Sequence, residues 1–215
     1  MRRFDHERRW RDADVPQLHA DWLAEHRHKP AEGPWGDKFR VIRRLLGTGC
    51  VIGLIGEWGT GKTQLGVAAI AEAIARDRVA RYVKASTLSR RLRCSFGRNA
   101  TGENEMQIFA DLMLPGLLVV DEVGQRDERE WEQHMLADLV DDRYAAKRDT
   151  LLISNLTRDV FLACVGKGVE DRICETGGVI VCDWAGFRAP SSPAAKRTET
   201  GPDTPPGHGT QQKRF

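Results

Sequence analysis

The sequence contains no long run of apolar residues. None of its 215 residues lies in a stretch that approaches the roughly 20 apolar residues needed by a membrane-spanning helix. The first residues, MRRFDHERRW, are strongly charged, and no apolar segment of the signal-peptide kind follows them. We therefore expect a cytoplasmic protein that does not enter the membrane.

Cysteine is scarce, and its pattern excludes two structural roles. There are five cysteines, an odd number, and no two of them have the C-x-x-C spacing of zinc ribbons or redox motifs. This argues against a disulfide framework and against a zinc site, and it predicts reduced thiols in the core. They are Cys50, Cys94, Cys164, Cys174 and Cys182.

Neither sign of charge is in clear excess. The chain has 33 Lys and Arg against 31 Asp and Glu, which gives a formal net charge of +2. A value this small does not indicate a nucleic-acid partner, because contacts to phosphates depend on local clusters of basic residues. The overall charge therefore leaves the class of partner open.

Composition divides the chain into three segments. A charged lead-in covers residues 1–47, a region with strong strand and helix patterns covers 48–188, and a tail covers 189–215. The tail is crowded with Pro, Gly, Ser and Thr, so its burial cannot offset the entropy lost on ordering. We expect one folded domain followed by a disordered tail.

Short apolar runs alternate with helical patterns across the middle segment. Continuous apolar strands such as Leu117 to Val120 are typical of a sheet that is covered on both faces, so the sequence predicts an α/β fold with a parallel sheet. The expected strands are 50–55, 79–84, 117–121, 150–154 and 178–182, and the expected helices are 62–76, 86–94, 129–146 and a short stretch at 165–175.

The most specific motif is a phosphate loop, G-x-x-x-x-G-K-T, placed between the first expected strand and the first expected helix. Its glycines let the backbone turn N–H groups toward phosphate oxygens. Lys62 would reach the terminal phosphates, and the Thr63 hydroxyl is placed to ligate Mg²⁺. The motif predicts binding of ATP and Mg²⁺ by Gly56, Glu57, Trp58, Gly59, Thr60, Gly61, Lys62 and Thr63.

Two adjacent acids, Asp121 and Glu122, end the strand that begins at Leu117. Ligands of open α/β sheets bind beyond the carboxyl ends of the strands, so Asp121 would face the magnesium held by Thr63. Glu122 would polarise an attacking water. The pair indicates hydrolysis of the nucleotide, and it weighs against transfer of the phosphate to a small acceptor.

These motifs, with four later segments in the same order, resemble the DnaC-like helicase-loader family of AAA+ ATPases, which includes the IstB-type helpers of transposition. The resemblance covers about Phe39 to Arg188 and implies a P-loop NTPase fold, a parallel sheet sandwiched by helices in three layers. The segments are Val120-Asp121-Glu122-Val123-Gly124, Leu152-Ile153-Ser154-Asn155-Leu156-Thr157, Glu170-Asp171-Arg172 and Asp183-Trp184-Ala185-Gly186-Phe187-Arg188.

The resemblance also implies roles for three polar residues. It makes Asn155 the sensor of the γ-phosphate or the lytic water, Arg172 an arginine finger that reaches the ATP of a neighbouring subunit, and Arg188 a second sensor acting in cis. Alternatives remain for each. Asn155 would otherwise cap the following helix, Arg172 would form a surface salt bridge with Asp171 or Glu175, and Arg188 would be an edge arginine.

Two features depart from the pattern of the family. Glu57 and Trp58 stand where many relatives carry proline, and we expect them to weaken or tune ATP affinity. Only some 45 residues precede the domain, so we expect no clear separate N-terminal domain for gripping a replicative helicase. Loading of a helicase is therefore an inference from the resemblance.

A cluster of arginines follows the second expected strand: Arg90, Arg91, Arg93 and Arg98. The resemblance places single-stranded DNA near this part of the fold, and arginine side chains suit contact with its backbone. The alternative is a solvated basic helix face, because three arginines within four positions of a helix cannot all face one groove.

Three functions are compatible with these features. The first is a Mg²⁺-dependent ATPase that assists DNA replication as a helicase-loader-type factor and assembles as a homo-oligomer on single-stranded DNA. The second is an IstB-like helper ATPase of transposition, with a transposase as partner. The third is an adaptor that binds ATP without hydrolysing it.

Overall fold

The computed structural model describes residues 2–26, 33–95, 104–125 and 130–187. Within these ranges the predicted alternation of strands and helices is confirmed. The strands are β1 (Val51–Gly56), β2 (Ala80–Lys84), β3 (Leu117–Asp121), β4 (Asp149–Ser154) and β5 (Gly178–Cys182). The helices are α1 (Arg2–Asp12), α2 (Gln17–His26), α3 (Gly33–Leu45), α4 (Lys62–Ala75), α5 (Ala85–Ser95), α6 (Glu105–Met113), α7 (Glu130–Ala145) and α8 (Arg158–Thr176).

The five strands form one parallel sheet in the order β2-β3-β4-β1-β5. Strand β1 lies between β4 and β5, and β3 lies between β2 and β4. The carboxyl ends of β1, β3 and β4 are therefore neighbours at one edge of the sheet. This places the phosphate loop after β1 beside the acidic pair at the end of β3.

Alternating side chains of each strand enter two separate hydrophobic clusters, one on each face of the sheet. In β1, Ile52 and Leu54 belong to one cluster, while Val51 and Ile55 belong to the other. The first cluster is covered by α3 and α4, and the second by α5, α6, α7 and α8. Burial on both faces explains why the strands are apolar without alternation.

The charged lead-in is built from helices that pack on the core. Helices α1, α2 and α3 all contact α4. Ile42 is fully buried, and Trp10 and Phe39 pack against the cluster that contains Ile52 and Leu54. The turn after α1 also pairs with the sheet edge, because the Tyr82 N–H donates to the Ala13 carbonyl over 2.8 Å. The lead-in thus contributes to the core next to the phosphate loop.

Two helices differ from the sequence prediction. Helix α6 was not predicted; it begins at Glu105, and the side chain of its N-cap residue Asn104 accepts from the Gln107 N–H in a capping box. Helix α8 was predicted as two pieces, a helix expected to begin after Asn155, near Thr157, and a short stretch at 165–175, whereas the structure has one element, Arg158–Thr176. Its backbone leaves helical geometry at Gly166, with φ +82°.

The cysteines only partly fit the expected core positions. Cys50 and Cys182 are buried, whereas Cys94 and Cys174 are exposed, so the expectation of core thiols is wrong for the latter two. They lie on the outer faces of α5 and α8, where the helical pattern tolerates a small side chain. Among the residues described, no helix is both long and apolar enough to cross a membrane.

Candidate nucleotide site

The phosphate loop opens into a cavity of about 480 Å³ at the carboxyl edge of the sheet. Most of the predicted nucleotide residues line it, and residues of α2, α3, β2 and the segment after β5 complete its walls. The lining comprises Leu18, His19, Trp22, Trp35, Trp58, Gly59, Gly61, Lys62, Thr63, Gln64, Tyr82, Lys84, Asp121, Glu122, Gln125, Ile153, Asn155 and Phe187.

The backbone of the loop has the geometry that its glycines predict. Gly59 has φ +82° and Gly61 has φ +84°, both in the left-handed region that favours glycine. Gly61 is also the N-cap of α4, and no side chain caps this helix end. The N–H groups of the first turn and the positive end of the helix dipole are therefore suited to an anion. Glu57 and Trp58 are exposed beside this loop.

Lys62 is buried at the base of the cavity, with its side chain folded onto the loop. Its ammonium donates to the carbonyls of Gly56 and Glu57 over 2.8 and 2.6 Å. Burial lowers the pKa of Lys62 from its usual range, an effect partly offset by Cys182 and Asp121. A cation with little access to water interacts strongly with an incoming phosphate, because few waters must be displaced.

Thr63 and Asp121 meet across the cavity, as the sequence predicts for a magnesium site. The Thr63 hydroxyl donates to Asp121 Oδ2 over 2.8 Å, and the Tyr82 hydroxyl donates to the same oxygen over 2.8 Å. Asp121 Oδ1 accepts the Glu122 N–H over 2.8 Å, so both carboxylate oxygens are fixed. Burial and the nearby Asp121 charge raise the pKa of Tyr82, which keeps its hydroxyl a donor.

This pair of oxygen donors suits Mg²⁺. Magnesium is usually held by one or two protein oxygens together with waters and the phosphates of the substrate, and not by a complete protein cage. The described part of the chain has no cluster of three or more His, Cys, Asp or Glu that could hold a metal ion. The hydroxyl of Thr63 and the carboxylate of Asp121 are oxygen donors of the kind that Mg²⁺ accepts.

Glu122 lines the cavity and is held by an ion pair. Lys84, at the end of β2, places its Nζ 2.8 Å from Glu122 Oε1. The backbone of Glu122 has φ +63°, which is unusual for a residue other than glycine. Such strain is tolerated where the surrounding structure fixes it, commonly at functional sites.

Asn155 follows β4 and lines the same cavity. Its neighbour Ser154 ties the strand to the acidic loop, because the Ser154 hydroxyl donates to the Val123 carbonyl over 2.7 Å. The helix after Asn155 has Thr157 as its N-cap residue by position, so Asn155 is not the cap. Because β4 lies between β3 and β1, with Ser154 paired to Ile55, Asn155 lies between the acidic pair and the start of the phosphate loop.

Arg172 lies on α8 and does not line the cavity of its own chain. Its Nε is 3.2 Å from Asp141 Oδ1, and its guanidinium lies 4.6 Å from the centre of the Tyr144 ring. The side chain is 35% exposed. An ion pair does form at Arg172, as the alternative interpretation supposed, although its partner is Asp141 on α7 and not Asp171 or Glu175.

The arginines expected to contact nucleic acid have different surroundings. Arg90 and Arg93 are exposed on α5, whereas Arg91 is half-buried and lies 3.0 Å from Asp111 on α6. The three therefore do not form one continuous face. Arg98 and Arg188 fall outside the described residues, as does the tail.

The sequence interpretation missed most of the walls of the site. Tyr82 and Lys84 are alternate residues of β2, so they share the face that meets the acidic pair, but only the strand order reveals this. The aromatic wall of Trp22 and Trp35 comes from the lead-in. Within the described residues, the buried side-chain atoms without a hydrogen-bond partner are Gln64 Oε1 and Gln125 Nε2, and both residues line the cavity.

Fold and site together define a P-loop nucleotide-binding protein: a parallel sheet between two helical layers, with Lys62 and Thr63 facing Asp121 and Glu122. The family model described as "IstB-like ATP binding protein" matches residues 47–169, more than half of the chain. The chain belongs to this family of ATP-binding proteins.

Two curated relatives from Escherichia coli K12 match the same region. The replicative helicase loader DnaC is 28% identical over 135 residues, which cover 62% of this chain and 54% of DnaC. The uncharacterised protein YdaV is 30% identical over 152 residues, which cover 69% of this chain and 60% of YdaV. The matches thus span little more than half the length of these relatives.

Solved structures share the fold of the chain. A crystal structure of the DnaC helicase loader superposes with a TM-score of 0.57 at 20% identity, covering 68% of this chain and 86% of that chain. AMPPCP-bound DnaA from Aquifex aeolicus gives a TM-score of 0.60 at 21% identity, covering 70% of this chain and 47% of that chain. The expected three-layer P-loop fold is therefore confirmed.

Proposed function

We propose that this protein is a Mg²⁺-dependent ATPase that assists DNA replication as a helicase-loader-type factor, working as a homo-oligomer on single-stranded DNA. The observation that carries the proposal is the convergence of Lys62, Thr63, Asp121, Glu122 and Asn155 on one cavity. Family membership supports ATP binding, and similarity to DnaC supports the replication role. Hydrolysis, assembly and partner are the parts that experiments must test.

In the proposed mechanism the phosphate loop and Lys62 bind and orient the triphosphate. Thr63 and Asp121 would hold Mg²⁺, which neutralises phosphate charge when bound. Glu122 leaves its ion pair with Lys84 and takes a proton from the attacking water. Asn155, at the end of β4 beside the loop, donates a hydrogen bond to the γ-phosphate or to that water.

The finger role of Arg172 requires a second copy of the chain. Arg172 is outside its own cavity, but it is partly exposed and held by contacts that are weak at a protein surface. A neighbouring subunit could therefore receive its guanidinium without large rearrangement. There it would stabilise the charge that develops on the transferred phosphoryl group.

Single-stranded DNA would contact the exposed arginines of α5. Arg90 and Arg93 are exposed on α5 and are suited to phosphate contacts. Arg91 is committed to Asp111 and is expected to support the helix instead. Substitution of Arg90 and Arg93 should thus weaken DNA binding and reduce its salt dependence more than substitution of Arg91.

A second candidate function is favoured by the family model itself. The matching model is described as IstB-like, so a helper ATPase of transposition is the main alternative to a replication factor. Co-purification with a hexameric helicase supports the first function, and co-purification with a transposase supports the second. A non-hydrolysing adaptor is the third possibility, and turnover distinguishes it from both.

The test is steady-state ATP hydrolysis over a range of protein concentration, with and without single-stranded DNA. Activity per subunit that rises with concentration, increases with DNA and falls in Glu122→Gln supports the proposed oligomeric ATPase. Binding of ATP without turnover above background would favour the adaptor. Turnover that is independent of both concentration and DNA would contradict assembly on DNA.

A further inference from the structure

Three consecutive carbonyl groups of the phosphate loop accept hydrogen bonds from outside the loop. The Gly59 carbonyl accepts the Phe187 N–H over 2.9 Å. The Thr60 carbonyl accepts Trp184 Nε1–H over 3.1 Å, and the Gly61 carbonyl accepts Trp35 Nε1–H over 3.2 Å. The donors come from two distant parts of the chain: Trp35 lies on α3, before β1, and Trp184 and Phe187 follow β5.

The direction of these carbonyls determines where the N–H groups of the loop point. In a planar trans peptide the C=O of one residue and the N–H of the next point to opposite sides. Holding the carbonyls of Gly59, Thr60 and Gly61 on these donors therefore fixes the direction of the N–H groups that follow them, those of Thr60, Gly61 and Lys62, on the other side of each peptide. These are the groups that a phosphate loop offers to its anion.

Two of the three donor residues, Trp35 and Phe187, pack closely against Gly61. A Cβ at this position would lie 3.1 Å from the Phe187 ring and 3.2 Å from Trp35 Nε1. The Gly61 carbonyl also accepts the Leu65 N–H over 3.0 Å as the first bond of α4. Trp35 therefore bonds to the peptide at which loop and helix join, and Trp184 bonds to the peptide before it.

We propose that Trp35 and Trp184 are positioning residues that preorganise the phosphate loop for the triphosphate through their indole N–H groups. The inference rests on the proposed function of the loop and names the residues that set its affinity. A flexible glycine-rich loop loses conformational entropy when it closes on phosphates. A loop that is already held in its binding conformation loses less conformational entropy on binding. Its affinity for the triphosphate is therefore higher without any new contact to the ligand.

The test is isothermal titration with ATP and with inorganic tripolyphosphate, which presents phosphates without a base. Trp35→Phe and Trp184→Phe keep an aromatic ring but remove the N–H donor. Each should weaken binding of both ligands by roughly 2- to 10-fold, the range expected for one hydrogen bond. Amide hydrogen exchange at Thr60, Gly61 and Lys62 should accelerate in the same variants, since freed peptides open more often.

Trp10→Phe is the matched control, because Trp10 packs against the same hydrophobic cluster from α1 and does not line the cavity. It should bind both ligands like wild type. If wild type binds, Lys62→Ala abolishes binding, and both tryptophan variants match Trp10→Phe in affinity and exchange, the positioning role is wrong. If wild type binds neither ligand, the proposed function of the loop fails instead.

Melting temperatures of Trp35→Phe and Trp184→Phe identify any loss of affinity that is caused by unfolding. The proposal would also be contradicted if Trp10→Phe lost as much melting temperature and as much affinity as these two variants.

Discussion

Lys84 and Glu122 form an ion pair across two adjacent strands of the sheet, with Nζ 2.8 Å from Oε1. The pair joins the end of β2 to the residue that follows β3, inside the nucleotide cavity. The Glu122 carboxylate must leave this contact before it can reach an attacking water. In the described conformation the proposed general base is therefore restrained.

Replacing Lys84 should release Glu122 and raise basal hydrolysis. Both side chains are partly exposed, so the pair is worth no more than about 1 kcal/mol, which corresponds to at most about a five-fold change. Lys84→Met should increase the steady-state rate within that limit, and Lys84→Arg, which keeps a cation, should not. A rate that falls in Lys84→Met would show that the ammonium serves catalysis directly.

Burial of Lys62 predicts a specific pH dependence of stability. Its pKa is lowered in the folded protein, while the unfolded chain has a value near 10.4, so between the two values the unfolded state binds more protons. The cost of keeping Lys62 charged is therefore present at neutral pH and is lost as pH rises through this window. Relative to Lys62→Met, wild type should gain free energy of unfolding between neutral pH and about pH 10. Urea unfolding at several pH values measures this, and a constant difference would show that the pKa is not lowered.

Arg143 is the strongest candidate for a purely structural arginine. It is fully buried on α7 and donates to the Thr150 hydroxyl over 3.0 Å and to the carbonyls of Leu112, Pro115 and Asp149. Removing the guanidinium leaves several buried acceptors unpaired, at about 1–3 kcal/mol each. Arg143→Ala should therefore lower the free energy of unfolding by about 3 kcal/mol or more. Arg90→Ala, on an exposed side chain, should change it by less than about 0.5 kcal/mol. Equal effects of the two in urea unfolding would contradict the structural role.

Arg172 should contribute little to the stability of a single subunit. Its ion pair with Asp141 is partly exposed and its contact with Tyr144 lies at the surface, so Arg172→Ala should cost about 1 kcal/mol or less. A loss of hydrolysis in this variant would then reflect the finger. Asp141→Asn removes the ion pair but keeps the guanidinium, and it should retain hydrolysis. The finger role of Arg172 would be contradicted if Asp141→Asn lost activity while Arg172→Ala hydrolysed ATP at nearly the wild-type rate. Melting curves and hydrolysis rates of both variants provide this comparison.

The fold was predictable from the sequence because its signals are local. Apolar runs such as Leu117 to Val120 define strands without further information, and the loop that ends in Lys62 and Thr63 has a spacing that few other structures require. Helix α8 was predicted as two pieces, a helix near Thr157 and a stretch at 165–175, and its backbone does leave helical geometry near their junction, at Gly166.

The sequence predicted those site residues that belong to a local motif, the phosphate loop and the acidic pair. Tyr82 and Lys84 reach the acidic pair because β2 lies beside β3, and strand order is not encoded in local patterns. Trp35 meets Gly61 across 26 positions of sequence, through packing of α3 on α4. Such contacts join segments that are distant in sequence, so they become visible only in the three-dimensional structure.

The most direct test of the account mixes two inactive variants, Glu122→Gln and Arg172→Ala, and measures ATP hydrolysis. If the finger acts in trans, a subunit with intact Glu122 next to one with intact Arg172 forms a complete site. Random assembly of equal amounts should then restore about a quarter of wild-type activity, because each head-to-tail interface needs a particular variant on each side. A mixture that stays as inactive as its components would contradict a site shared between subunits.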